Sequence, residues 1–169
     1  KKGKAKSAIT LADDTQNTLK AAELMQDFVK RISGAELPIT EKGNIVIGGK
    51  ASADVGEDGF SIDSENGRLT IRTGGDKGAI YGVVTLLEKY MGVSYWAYET
   101  YDLTETPDIV LPEIHIKETP AFRYRQSQNY GLQDPIFKMW YRYESPGEEF
   151  IDNMRVHTFN SILHQDKYA

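Results

Sequence analysis

The stretch that decides the fold runs from Gly59 to Val93, "GFSIDSENGRLTIRTGGDKGAIYGVVTLLEKYMGV". "GFSID" and "RLTIRT" alternate apolar and polar residues, the two-residue period of a half-buried strand. Between them Asn66-Gly67 offers the pair of left-handed backbone conformations that a tight hairpin turn requires. The period then changes. Ile80, Val83, Val84, Leu87 and Met91 recur at helical spacing, which predicts a helix from Asp76 as N-cap to about Met91, with Gly92 following. Gly78 and Gly82 share one face of that helix, where the missing side chains let its backbone approach a sheet and offset a cost of ~1 kcal/mol per glycine.

Working outward, "SAITLA" (7–12) is a short β-leaning run, and "DDT" after it is a cluster of helix-capping residues. Leu19, Ala22, Met25, Phe28, Val29 and Ile32 then form a helical stripe that ends at Gly34. Asn44 to Ile47, "NIVI", closed by Gly48 and Gly49, reads as a buried strand. After the central stretch, "VSYWAY" reads as a strand and "ETYDLTETPD" as a loop. "IVLPEIHI" reads as a strand that Pro112 interrupts and so places at an edge. Two helices serving about five strands predict an α/β (α+β) fold: a mixed sheet with both helices packed largely on one face. Residues 1–118 form a self-sufficient domain on this reading.

Residues 119–169 differ. "FRYRQSQNY" reads as a strand, "DPIFKMWYRY" is aromatic-rich, "SPGEEFIDNMRV" is a short helix with Ser145 as cap and Pro146 at its first position, and "HTFNSIL" is another strand. These cannot enclose a core of their own. They need cover from the first domain or from further chain.

The 169 residues are 40% hydrophobic and 27% charged, the composition of a globular chain that can bury a core. A net charge of −5 gives no field for a polyphosphate backbone, so nucleic acid is not a predicted partner. Lys1, Lys2, Lys4 and Lys6 read as solvated charges on a terminus. The start at Lys1 points to a processed chain, and no apolar run approaches the ~18 residues of a membrane helix. "RTGGDKGAIYG" fits neither glycine fingerprint for phosphates, and Asp76 would oppose one at the helix start. There is no cysteine, and His115, His157 and His164 lack metal-ligand spacing. Glu148, Glu149 and Asp152 suit a helix N-terminus. No catalytic residue, metal site or cofactor is assigned.

In order, "AAELMQDFVKRISGAELPI", "NIVIGG", "DGFSI", "RLTIRTGGDKGAIYGVVTLLEKYMGVSYWAY" and "LPEIHIKETPAFRYRQ" resemble a known arrangement. It is the N-terminal α/β domain that precedes the catalytic barrel of family 67 α-glucuronidases and family 20 β-N-acetylhexosaminidases. A group of secreted bacterial proteins with an α-glucuronidase-like N-terminal domain is similar too. The likeness covers roughly residues 7 to 127. It implies a hexosaminidase domain 2-like unit over 1–118, and over 119–169 the first strand-helix-strand of a truncated (β/α)8 barrel, a fold that needs ~250 residues.

"PAFRYRQ" matches the first barrel strand, and "MRVHTFNSILHQDKYA" is similar to a second. The resemblance places Arg125 where hexosaminidases carry an arginine that binds sugar hydroxyls; its fixed fork of donors suits adjacent hydroxyls or a uronate. Arg123 shares that facing, and His157 begins the second strand beside the site. Gln126-Ser127-Gln128-Asn129 departs from the Gly and Asp that follow the arginine in hexosaminidases. The implied role is a non-catalytic accessory domain of an extracytoplasmic glycoside hydrolase, with its own downstream barrel and a carbohydrate as partners. The alternative is a glycan-binding or surface-adhesion module built on Tyr95, Trp96, Tyr98, Tyr101, Trp140, Tyr141 and Tyr143.

Overall fold

Alternation and turn chemistry act as expected in the central hairpin, β3 (Phe60–Glu65) and β4 (Arg68–Thr73), which pair antiparallel with Ile62 opposite Ile71. Asn66 and Gly67 turn between them at φ 50 and 74. The computed structural model describes residues 4–75, 77–122, 125 and 130–143. The expected helix over "SPGEEFIDNMRV", the strand over "HTFNSIL" and most of "FRYRQSQNY" lie outside them.

Around the hairpin the main sheet runs β1 (Ile9–Leu11), β2 (Ile45–Lys50), β4, β3 and β7 (Ile114–Glu118). The pairs β1–β2 and β2–β4 are parallel, and β4–β3 and β3–β7 antiparallel. The sheet is therefore mixed. One face carries Ile9, Ile47, Leu69, Ile71, Ile62, Phe60 and Ile114, all buried. The other carries Thr10, Asp63, Arg72, His115 and Lys117. β7 is an edge strand beginning after Pro112, as the proline requires. Residues 109–113, read as part of that strand, stand before it. β2 does not stop at its glycines: Gly48 and Gly49, at φ 95 and 75, carry it through a bulge to Lys50.

Helix α1 (Gln16–Ser33) starts at Thr15, whose Oγ1 accepts from the Thr18 N–H at 3.2 Å, and ends at Gly34. Its stripe includes Ala22, Met25, Phe28, Val29 and Ile32, but Leu19 is 41% exposed and Thr18 and Leu24 are buried in its stead. Thr18 tolerates burial because its hydroxyl is hydrogen-bonded to the Asp13 carboxylate and to the Thr15 hydroxyl. Helix α2 (Gly78–Tyr90) has Lys77, not Asp76, in the N-cap position, without a side-chain cap bond. Every residue from Gly78 to Leu87 is buried, because α2 is covered on both sides.

What covers it is an outer layer of which the sequence reading assigns only the strand in "VSYWAY". Residues 100–103, read as loop, form β6 (Thr100–Leu103), antiparallel to β5 (Val93–Ala97) in a separate two-stranded sheet. "DPIFKMW" forms a 3-10 turn's exit and a short helix, α3 (Pro135–Trp140), with Asp134 as N-cap and proline in the first turn. Phe28 of α1 meets Tyr101 of β6 at 5.8 Å and Trp140 of α3 at 5.3 Å, so hairpin, α3 and helices share one core.

Candidate functional site

The strongest convergence of charged side chains lies where the chain beyond β7 returns over α2. Arg142 donates from one terminal nitrogen to Glu118 Oε1 and from the other to Thr85 Oγ1, both at 2.6 Å. Its guanidinium lies 5.5 Å from the Phe60 ring centre and 6.0 Å from that of Tyr81. Arg142 itself sits at φ 56, a left-handed conformation held by these contacts.

Arg125 completes the clamp. Its Nε–H donates to the backbone carbonyl of Arg142 at 2.8 Å, one terminal nitrogen donates to the Phe122 carbonyl, and the other to Asp58 Oδ2 at 2.9 Å. The Arg125 and Asp58 side chains are only 16% and 14% exposed. Burial opposes the arginine's charge, but its bonds to Asp58 and to the Tyr81 hydroxyl outweigh that and raise its pKa. Of the three residues that the resemblance assigns to the sugar, Arg125 is the one among the described residues, and it grips the loop before β3. Arg123 and His157 lie outside the described residues.

Farther along the seam, Tyr95 donates its hydroxyl to Asp134 Oδ2 at 2.6 Å, and Asp134 Oδ1 accepts the Ile136 N–H at 2.8 Å. Burial raises the Asp134 pKa, but the Tyr95 hydroxyl and the backbone donors more than reverse it and leave the carboxyl below its ordinary value. Burial and the adjacent carboxylate push the Tyr95 hydroxyl well up. Trp140 Nε1–H donates to Glu88 at 2.9 Å, and the Tyr141 hydroxyl to the Tyr95 carbonyl at 2.7 Å. No single motif announces this seam, because its partners are up to 67 residues apart. The Asp134-Pro135 pair was the available local signal.

On the polar face of the sheet, His115 bridges Asp63 and Glu113, each at 3.2 Å, and these two bonds raise its pKa. Glu65, Glu113 and His115 bring one ligand atom each within 4.8 Å of the others, all exposed. A cavity of about 560 Å³ opens nearby, floored by Met25, Val29, Leu69 and Met91 and rimmed by Glu65, Arg68 and Glu113. Its mixed rim selects no ligand charge. No helix among the described residues is long and apolar enough to cross a membrane.

Comparison with known proteins gives the family. The model for glycosyl hydrolase family 20, domain 2 matches residues 3–91. An N-acetyl-β-hexosaminidase of Streptomyces plicatus superposes with a TM-score of 0.54 at 21% identity, covering 73% of this chain and 25% of that one. The family 20 β-N-acetylhexosaminidase of Streptomyces coelicolor A3(2) gives 0.54 at 22%, over 73% and 25%. A family GH115 4-O-methyl-α-glucuronidase with specificity for decorated arabinogalactans gives 0.56 at 19%, over 72% and 19%. The chain therefore spans a quarter or less of these solved relatives, and at such identities they show the fold alone. No curated relative matches the chain.

Proposed function

The chain belongs to the glycosyl hydrolase family 20, domain 2 family, and from that premise we propose that it is the non-catalytic accessory unit of a secreted glycoside hydrolase, packed against a catalytic barrel that follows it. The observation that carries this reading is the clamp. Arg125, Arg142 and Asp134 tie the segment after β7 to the α/β layers through Asp58, Glu118, Thr85 and Tyr95. A unit whose work is to hold the next segment in place needs such fixed, partly buried bonds at its exit. A unit that turned over substrate would instead keep its charged groups open to a cleft.

On this proposal residues 1–118 are the accessory domain, whose core Phe137 and Trp140 complete from the segment that follows, and 119–169 the opening of the barrel. The family resemblance then offers Arg125, Arg123 and His157 to the carbohydrate, and Arg125, bonded to Asp58, Phe122 and Arg142, serves the clamp first. Export across the cytoplasmic membrane belongs to the same reading. The test is turnover. The 169-residue chain should release no product from aryl N-acetyl-β-glucosaminides, aryl glucuronides or glucuronoxylan oligomers, while a longer protein containing it hydrolyses at least one of them. Robust hydrolysis by this chain alone would overturn the proposal.

A further inference from the structure

The β5–β6 hairpin sorts its aromatic rings into two sets. Tyr95 is 5% exposed and stacks on Tyr101 at 5.8 Å and on Trp140 at 5.4 Å, so this inner set is core. Trp96 and Tyr98 point the other way and are 61% and 49% exposed. An exposed indole normally gives its N–H to water. Here Trp96 Nε1–H donates to Asp102 Oδ2 at 2.8 Å across the strand pair, which fixes the ring while its face stays open. A large apolar face held rigid in solvent marks a binding surface.

Charge narrows what it binds. Between Val93 and Asp108 the chain carries Glu99, Asp102, Glu105 and Asp108 and no Lys, Arg or His. Arg31, which donates to the Tyr101 hydroxyl, is already paired with Asp27 at 2.7 Å. The hairpin that carries Trp96 therefore brings carboxylates and no cation of its own, and the one charged group bonded to the indole, Asp102, accepts hydrogen bonds and repels anions.

We infer that Trp96 and Tyr98, with Asp102, form a platform for a neutral pyranose unit. The apolar C–H face of the ring lies on the indole, and an equatorial hydroxyl donates to the Asp102 carboxylate beside it. This chemistry refuses uronates. It does not depend on the accessory-domain reading, because it uses only the hairpin.

The chain's two tryptophans make the test clean. In a ¹⁵N-labelled sample, the Trp96 indole resonance and the amides of 96–102 are followed during titration with chitotriose, xylotriose and a glucuronic acid-substituted xylo-oligosaccharide. The expected result is a saturable shift at Trp96 with a neutral sugar, none at Trp140, and clearly weaker binding of the acidic sugar. Trp96→Ala should weaken binding about tenfold or more while leaving the melting temperature near that of the parent chain, since the ring is outside the core. An unmoved Trp96 signal, unchanged affinity in W96A, or equal binding of the uronate would overturn the inference. So would shifts that follow protein concentration and not sugar, because they would make this a self-association face.

Discussion

A methyl group added at Gly78 would stand 1.9 Å from the carbonyl oxygen of Gly59, and one at Gly82 would stand 2.5 Å from the γ2 methyl of Ile71. Both positions let α2 lie directly on β3 and β4, which the sequence states through two glycines four apart on one helical face. The two sites differ in what must yield. At Gly82 the obstacle is a β-branched side chain restricted at χ1 and packed in the core, so Gly82→Ala should cost about 1–3 kcal/mol despite alanine's better helix propensity. At Gly78 the obstacle is backbone, which cannot rotate away, so Gly78→Ala should cost more. Urea midpoints with unchanged slopes would measure both, and a stabilised G78A would show that the close contact is not there. Residue-level reading reaches this far and then stops at Arg125. Its partner Asp58 was not legible, because neither neighbour nor spacing links positions 67 apart.

At the scale of elements, α3 is six residues long and cannot persist alone, so tertiary bonds must hold it. Asp134 both caps it and accepts from Tyr95, and only 7% of it is exposed. Because its folded pKa lies below the ordinary value of 3.8, its contribution is present above about pH 4 and lost as pH falls through the folded value. Charge-assisted bonds of this kind are worth about 1.5–3 kcal/mol. The parent chain should therefore lose more stability than Asp134→Asn between neutral pH and about pH 3, read from urea midpoints. Equal losses would remove Asp134 from the account. The elements that sequence reading found and missed divide by the strength of local signals. β3, β4 and α1 carry a tight turn, a full stripe or a capping pair. β6 turns through Tyr98 and Glu99, the latter at φ 49, where no glycine or asparagine announces a reversal. α3 is shorter than the window in which helical period can be counted. Thr18 replaces Leu19 in the core because a capping hydroxyl satisfies it, a tertiary detail that hydrophobicity alone does not order.

For the molecule as a whole, the layers are sheet, two helices, and an outer hairpin with α3, so the chain after β7 returns to finish the core that β1 to β7 begin. Phe137 and Trp140, 8% and 4% exposed, belong to the same buried cluster as Phe28 and Tyr95. The sequence indicated that residues beyond 118 need cover; the described part of them finds it on α2 and β5. That docking is the central claim, and Trp140 reports on it directly. In a Trp96→Phe chain Trp140 is the only tryptophan, so its fluorescence follows α3 while circular dichroism at 222 nm follows the whole fold. Urea unfolding should give coincident transitions by the two signals, with one midpoint. A fluorescence transition complete at lower urea than the loss of ellipticity would mean that α3 detaches on its own, and would contradict the account.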